Sequence, residues 1–582
     1  MGTLVTANDR WEWRGTYEER AIPKAASFRW DPDRRVWWTK LRPLAMKLAE
    51  HGDPETRAQL LGLREAEEAA AAASRASTAD ILVPAPPGCE YLPFQLAGIK
   101  YALNTKSGNC LIGDAMGVGK TIEALGVLNY LAADVESALV ICPATVKLNW
   151  AREAAKWLTM PATIQVWQAA DEITPLPIEP GGLAVHIVNW DILAMKGEDG
   201  VHARPDILAL RPQVLILDEC QRMKSPKAQR TVATQELAAT AERILALTGT
   251  PITNRPIELW TTIHLLDPKE WQSKSWYTKR YCNGHVSTVG YRHPKTVYDD
   301  SGASHLDELQ DRLRRGLMVR RLKEDVLREL PAKRRTLITL EAAKYADVLA
   351  REQQAIHKGR ADVAALREEM QALDKEANAD EWKASASALR QAYSVAFTEI
   401  SRVRHETALA KVQDVARFTD DALDAEAKVL LWAHHHDVTA ALARLLHKHG
   451  VVTLTGEHSQ AHRDEAIQRF QTDDAIRVFI GSIQAGGLGI TLTAASTVIF
   501  GELDWTPANI SQAEDRAHRI GQVNPVSVYH LVVDGSIDAR MAELLVEKQE
   551  IIDKALDVPS ERLSIKPSEV LGFTEEDNAW NG

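Results

Sequence analysis

Two short stretches carry residues whose types and spacing suit phosphate chemistry. In LIGDAMGVGKTIEAL, residues 111–125, Gly117 and Gly119 stand just ahead of a Lys120-Thr121 pair. Without a Cβ in the way, backbone N–H groups of such a loop would wrap phosphate oxygens. Lys120 would reach the outer phosphates of a nucleotide, and the Thr121 hydroxyl would hold Mg2+. Asp114 occupies the position where the general loop pattern has its first glycine, so that pattern is met in part. An exposed lysine beside a flexible turn would account for Lys120 but not for the adjoining residues.

VLILDECQ, residues 214–221, is the second stretch. Four apolar residues read as a buried strand. The acids follow at its C-terminal end, where a parallel sheet presents its chemistry. Asp218 would orient the metal through water, and Glu219 would polarise the attacking water as a general base. An Asp-Glu pair after a strand, taken alone, is more often a solvated strand end. Paired with the phosphate loop it describes a nucleotide hydrolase, with a nucleotide-binding protein that does not move as the other reading.

The surrounding sequence supplies elements to hold these residues. Over residues 89–335 short apolar runs (138–142, 185–188, 214–217, 244–247) alternate with helical stretches, the pattern of an α/β domain on a parallel sheet. A second such pattern runs through 429–432, 451–454, 478–480, 497–500 and 526–532. Residues 341–415, rich in Ala, Glu, Lys and Gln, lack strand signals and read as long helices. Residues 1–45 are aromatic-rich, with Asp31-Pro32-Asp33 as a turn between strands at 26–30 and 35–39. Residues 41–80 read as helical, and ILVPAPPG, 81–88, as a linker. The expected division is an N-terminal module over 1–80, a first lobe over 81–335, a helical insertion over 336–415, a second lobe over 416–560 and a tail over 561–582.

Composition narrows the class without deciding it. The 582 residues are 45% hydrophobic and 26% charged, ordinary for a globular chain of several domains. A net charge of -11 does not itself point to nucleic acid, although a local basic cleft binds phosphate on an acidic protein. The five cysteines form no close pair, which argues against a disulfide framework or structural zinc. No apolar run reaches the ~18 residues of a membrane helix, so a soluble protein of a reducing compartment, away from membranes, is expected.

Further motifs occur in a fixed order. They are YLPFQLAG (91–98), CPATVKLNW (142–150), LTGTPITNRPIELW (247–260), LMVRRLKEDVLRELPAK (317–333), KVLLWAHHHDV (428–438), GSIQAGGLGITLTAAS (481–496) and WTPANISQAEDRAHRIGQ (505–522). With the two stretches above, they resemble the Swi/Snf-type ATPases of helicase superfamily two over roughly residues 89–560. The family loop likewise has Asp in place of the first glycine.

The resemblance implies an α/β fold of two RecA-like parallel-sheet lobes with helical insertions, plus a small N-terminal α+β module. It implies ATP and Mg2+ as cofactors. Gln95 would contact adenine, and Asp114, Gly117, Gly119, Lys120 and Thr121 would line the nucleotide. Gln512 would lie near the nucleotide or the lobe interface. Thr248 and Thr250 would link nucleotide state to DNA contact. Arg516 and Arg519 would cross the cleft to the γ-phosphate, and their spacing of three sets both on one helical face. A salt-bridged surface helix with Glu514 and Asp515 is the alternative for these arginines. The family usually has His where this chain has Gln221; glutamine still donates and accepts hydrogen bonds but carries no titrating proton. Gly501 stands where relatives often have an acid, with Glu502 beside it.

The resemblance further implies translocation on duplex DNA without strand separation, each lobe gripping the backbone. DNA-facing candidates are Lys147, Asn149, Trp150, Lys224, Lys227, Ser482, Gln484, Gly486 and Gly487, all at strand ends, where a solvated edge is the competing reading. The run 312–335 has ten Lys or Arg against three acids. Val319, Leu322, Val326 and Leu330 would give it a buried helical stripe, favouring a brace of the lobe junction. His434, His435 and His436 read as a strand end rather than a metal site.

IPKAASFRWDPDRRVWW, 22–38, is similar to the substrate-recognition segment of HepA-related annealing motors. There Trp30, Trp37 and Trp38 would stack on exposed bases while Arg29, Arg34 and Arg35 meet phosphate. Alternatively the tryptophans form a miniature core. The expected function is DNA-stimulated ATP hydrolysis that remodels or anneals double-stranded or forked DNA in repair or fork maintenance. Displacement of bound proteins and a non-catalytic DNA-binding scaffold are the alternatives. A monomer working with DNA repair or replication proteins is expected, cytoplasmic and nucleoid-associated, of bacterial or phage origin.

Overall fold

The computed structural model describes residues 2–195, 204–249, 251, 255–289, 295–300, 302–327, 329–372, 379–483, 490–505 and 507–543. The phosphate-loop half rests on a seven-stranded parallel sheet. Its strands are β5 (Cys110–Ile112), β6 (Ser137–Cys142), β7 (Ala162–Val166), β8 (Leu183–Asn189), β9 (Val214–Asp218), β10 (Arg243–Leu247) and β13 (Met318–Val319), with β11 (His285–Val289) and β12 (Lys295–Asp299) forming a separate antiparallel pair. The strands of the sheet lie in the order β13-β5-β10-β9-β6-β8-β7. Helices cover both faces, which is why the strands are nearly continuous apolar runs. Successive side chains enter different cores: Leu111, Leu139, Ile141, Leu215 and Leu217 one, Cys110, Ile112, Val140 and Ile216 the other.

A second parallel sheet holds β14 (Lys333–Leu340), β15 (Val429–Ala433), β16 (Val451–Leu454), β17 (Val478–Ser482), β18 (Thr497–Phe500) and β19 (Val526–Val533). Their order is β14-β19-β18-β15-β17-β16. Trp432, Phe479 and Phe500 fill one face and Leu431, Ile480 and Ile499 the other. Between β14 and β15, the helices Ala346–Ala372 and Ala379–Ala410 pack on each other, and Val412–Ala425 packs onto the sheet.

Three expectations are corrected. The boundary at 335 cuts through β14, which belongs to the second lobe: Lys333 pairs with Val526 and Leu340 with Val533. KRRTLITL reads poorly as a strand because it lies at the sheet edge with three cations, and its partner comes much later in the chain. The run 312–335 has no continuous helical stripe. One helix ends at Arg314, Met318–Val319 hydrogen-bond into the first sheet beside β5, and a single helical turn follows at Lys323–Val326. The N-terminal strands are β3 (Arg29–Asp31) and β4 (Val36–Thr39), shorter than expected. They are joined by β1 (Thr3–Ala7) and β2 (Arg10–Arg14) in an antiparallel sheet ordered β1-β2-β4-β3. The tail, 561–582, lies outside the described residues.

Candidate nucleotide site and its two lobes

The C-terminal ends of β5, β10 and β9 lie side by side, because Leu247 pairs with both Ile112 and Asp218. This register gathers the phosphate loop, the threonine motif and the acids at one crevice. After β5 the chain turns through Gly117 (φ 80°) and Gly119 (φ 97°), left-handed conformations that favour glycine, and enters the helix Lys120–Tyr130. A Cβ at Gly119 would stand 2.5 Å from Nε2 of Gln95. Buried Gln95 donates 3.1 Å to the Val118 carbonyl and accepts from the Leu92 N–H at 3.0 Å, so it ties the preceding helix to the loop. Lys120 Nζ donates to the carbonyls of Asp114 (3.0 Å) and Ala115 (3.1 Å). Burial lowers its pKa, opposed by Glu219, Asp114 and Asp218. Thr121 is half-buried in the first turn.

The Asp114 side chain, expected at the nucleotide, is instead fully buried and committed to an ion group. Its Oδ1 accepts the Arg321 backbone N–H at 2.8 Å, and its carboxylate pairs with the Arg321 guanidinium. Arg321 also pairs with Glu123 and donates to the Phe94 carbonyl. All three charges are essentially inaccessible to water. Burial alone would lower the Arg321 pKa, but the two acids hold it raised, while burial and Asp114 raise that of Glu123. This buried ion group holds the loop start against the end of the first lobe, joining Asp114 of the phosphate-loop stretch to Arg321 of the 317–333 motif. Arg320 adds a bond to the Gly113 carbonyl at 2.6 Å.

On β9, two indoles clamp Asp218. Trp150 Nε1 donates 2.9 Å to Oδ2, and Trp190 Nε1 donates 2.8 Å to the backbone carbonyl. Trp150, expected at DNA, is thus buried inside the first lobe. Lys147 is corrected likewise. It is buried, and its Nζ donates to the Trp167 carbonyl (2.8 Å) and Gln168 Oε1 (3.1 Å). Both follow from amphipathic helix geometry: Lys147, Trp150, Ala154 and Trp157 share the inward face of Lys147–Trp157. Burial and the neighbouring Glu219 raise the Asp218 pKa to about 6. Glu219 adopts left-handed φ 54°, ψ 53°, and its Oε2 accepts from Gln221 Nε2 at 2.5 Å. Buried Thr248 donates its backbone N–H 3.1 Å to the Ile112 carbonyl. Thr250 lies outside the described residues.

The second lobe brings its arginines to this crevice. Half-buried Gln512 lies in the helix Pro507–Glu514. Arg516 and Arg519 lie beyond its end, in a turn rather than on one helical face as expected. At the helix end Glu514 and Asp515 are held in ion pairs. Glu514 pairs with Lys333 and Arg335, and Asp515 with Lys323 and Lys333. The acids therefore bond to the 312–335 run and leave the arginines directed across the cleft. A Cβ at Gly117 would meet Arg519 Cγ at 3.2 Å. Arg519 Nη1 donates 3.1 Å to Thr491 Oγ1. Burial lowers the pKa of Arg516 well below the usual arginine range and that of Arg519 to about 10, and Glu219 opposes both shifts.

Among the other DNA-facing candidates, Asn149, Lys224 and Lys227 are exposed, with Lys224 4.0 Å from Glu258. Ser482 is buried at the end of β17, and Gln484, Gly486 and Gly487 lie outside the described residues. His434 and His435 follow β15. Glu502 accepts both their backbone N–H groups (2.7 and 2.9 Å) and pairs with His435 Nδ1 at 2.6 Å.

In the N-terminal module Trp37 joins a small core, and Trp30 is left largely at the surface. That core is Leu4, Trp13, Phe28, Ala45, Leu48 and Leu60, with Trp37 packed against it. Trp30, cross-strand from Trp37 at 5.5 Å between ring centres, remains 48% exposed. Arg10 covers the Trp38 ring, and Arg29, Arg34 and Arg35 are exposed, Arg34 also pairing with buried Glu12.

Two parallel-sheet lobes, a glycine-lined phosphate loop and acids on one, and arginines from the other define a helicase-like ATPase. Residues 94–398 match the SNF2-related domain and 410–521 the helicase conserved C-terminal domain, and the chain belongs to the SNF2-related family. It is 32% identical over 501 residues to the DNA annealing helicase and endonuclease ZRANB3 of Bos taurus, covering 84% of this chain and 43% of that one. It is 31% identical over 473 residues to the SWI/SNF-related matrix-associated actin-dependent regulator of chromatin subfamily A-like protein 1 of Xenopus tropicalis, covering 80% and 45%. The chain thus spans less than half the length of these curated relatives. The solved structure of a Sulfolobus solfataricus SWI2/SNF2 ATPase core in complex with dsDNA aligns over 86% of this chain and 99% of that one, at 20% identity and a TM-score of 0.37.

Proposed function

We propose that this protein hydrolyses ATP to move along duplex DNA and to remodel or anneal strands at forks and bubbles. The observation that carries the reading is the meeting of Arg519, from the second lobe, with Gly117 of the phosphate loop, while Arg516 and Arg519 both sense the Glu219 charge. Lys120 and the loop N–H groups bind the phosphates, Glu219 accepts a proton from the attacking water, and the two arginines stabilise charge on the transferring group. Thr121 and Asp218, the latter oriented by Trp150, would hold Mg2+, which neutralises phosphate charge when bound. Completion of the site requires both lobes, so nucleotide favours the closed arrangement and release reopens it, giving alternate grips on DNA.

The annealing output is favoured by the relatives' names and by Trp30 beside exposed arginines, a surface suited to unpaired bases. Displacement of proteins from DNA would use the same motor. Action as a monomer, with repair or replication proteins, in a bacterial or phage-encoded nucleoid setting belongs to the same proposal.

The test is steady-state ATP hydrolysis with no DNA, single strands, blunt duplex and forked duplex at fixed salt, with Glu219→Gln as the blank. Stimulation by duplex that is greatest at a fork supports the whole reading. Stimulation blind to the junction keeps the motor and removes the annealing assignment. Turnover indifferent to every DNA sinks the motor.

A further inference from the structure

Lys323 has no part in the hydrolytic reading, yet it stands where the lobes meet. It follows β13, the strand of the first lobe that runs beside β5. Its Nζ donates 2.9 Å to the His518 carbonyl and lies 2.9 Å from Asp515 Oδ2, both in the second lobe. A Cβ at Gly117 would be 3.5 Å from the same Nζ and 3.2 Å from Arg519 Cγ. One ammonium thus lies beside the phosphate loop and grips the turn that contains Arg516, with Arg519 next to its grip on His518. The other cation on Asp515, Lys333 at 3.1 Å, belongs to the second lobe's own sheet, so that pair does not cross the cleft. The Lys323 side chain is only 15% exposed, and a hydrogen-bonded charge pair so placed resists screening far more than a surface pair.

We propose that Lys323 is a positioning residue that docks the turn Asp515–Arg519 of the second lobe over the phosphate loop of the first, setting Arg516 and Arg519 for hydrolysis. This rests on the ATPase reading above. The groups facing Lys323 are Asp515, Lys333, Arg519, the His518 carbonyl and the His518 imidazole, whose pKa is lowered by burial, Lys323 and Lys333. Burial lowers its pKa from 10.5 to about 8, opposed by Asp515 and assisted by Lys333 and Arg519. As pH rises through that value the ammonium is lost and its hold on Asp515 weakens. A guanidinium at this position stays charged.

The test measures duplex-stimulated ATP turnover in the full chain, with Lys323→Met, Lys323→Arg, Asp515→Asn, the Lys323→Met/Asp515→Asn double variant and the Glu219→Gln blank. Lys323→Met is expected to lower kcat about ten-fold with KM for ATP changed less than about two-fold, since docking acts on the assembled site. Lys323→Arg should recover most of the turnover. The double variant should lose less than the product of the two single losses, because both changes remove the shared Lys323–Asp515 pair, while Asp515→Asn also releases Lys333 and Lys323→Met also releases the His518 carbonyl. Wild-type kcat should fall above pH of about 8 while that of Lys323→Arg persists. Wild-type turnover in Lys323→Met overturns the proposal. So do fully additive losses in the double variant, or superimposable pH profiles for lysine and arginine. Wild-type turnover no higher than that of Glu219→Gln overturns the ATPase reading itself.

Discussion

The nucleotide cleft and the N-terminal module both combine charge with aromatic rings, but in opposite states. In the cleft the charges are buried and committed: Arg321 to Asp114 and Glu123, Asp218 to the Trp150 indole, Asp515 to Lys323. In the module Trp30 stands half in solvent, and Arg14 and Arg34 are about 60% exposed beside a single buried acid, Glu12. A site that stabilises one transition state gains from groups fixed in advance, since no reorganisation is needed at the moment of reaction. A surface that meets bases of any sequence gains from rings and cations still free to adjust. Breaking the first should therefore cost turnover or stability heavily, and breaking the second should cost only substrate preference.

Arg519→Ala tests this most severely. Removal of a charge supplied across the cleft should lower ATP turnover by about 10³-fold, with the fold intact by circular dichroism. A loss under about ten-fold would mean the second lobe does not complete the site. Arg321→Met should act on stability instead. Leaving Asp114 and Glu123 buried without their cation should cost about 3–5 kcal/mol, read from the urea midpoint of the first lobe. An unchanged midpoint would break the claim that this ion group holds the loop.

Trp150→Phe keeps most of the packing and deletes the indole N–H that holds Asp218. Losing a hydrogen bond to a charged group predicts a fall in kcat of about ten-fold, partly recovered at raised Mg2+. Turnover equal to wild type at every Mg2+ concentration would reduce Trp150 to a core residue. The smallest effect belongs to Trp30→Ala. Duplex-stimulated turnover should be unchanged, while preference for forked over blunt duplex falls about five-fold, the lower end of a base-stacking loss. A change in duplex-stimulated turnover would show the module acting on the motor rather than on substrate choice.

The chain's own order of residues determined the two-lobed α/β class, the phosphate loop and the strand-end acids, because each depends on neighbours within a single strand-turn-helix unit. It did not determine which cations face DNA. Lys147 and Trp150 follow a strand end, as a DNA contact would, and only the inward face of their helix turns them into the first lobe. Nor did it give the partners of Arg321 and Lys323, which the 317–333 motif contains, or of β14, because these lie about 200 residues away along the chain. Asp114 reads as a loop residue until Arg321 arrives beside it, and Glu514 and Asp515 read as a surface helix until Lys323, Lys333 and Arg335 pair with them. Local pattern specifies local geometry; buried charge pairing depends on which distant cation shares the desolvated space, and tertiary packing alone decides that.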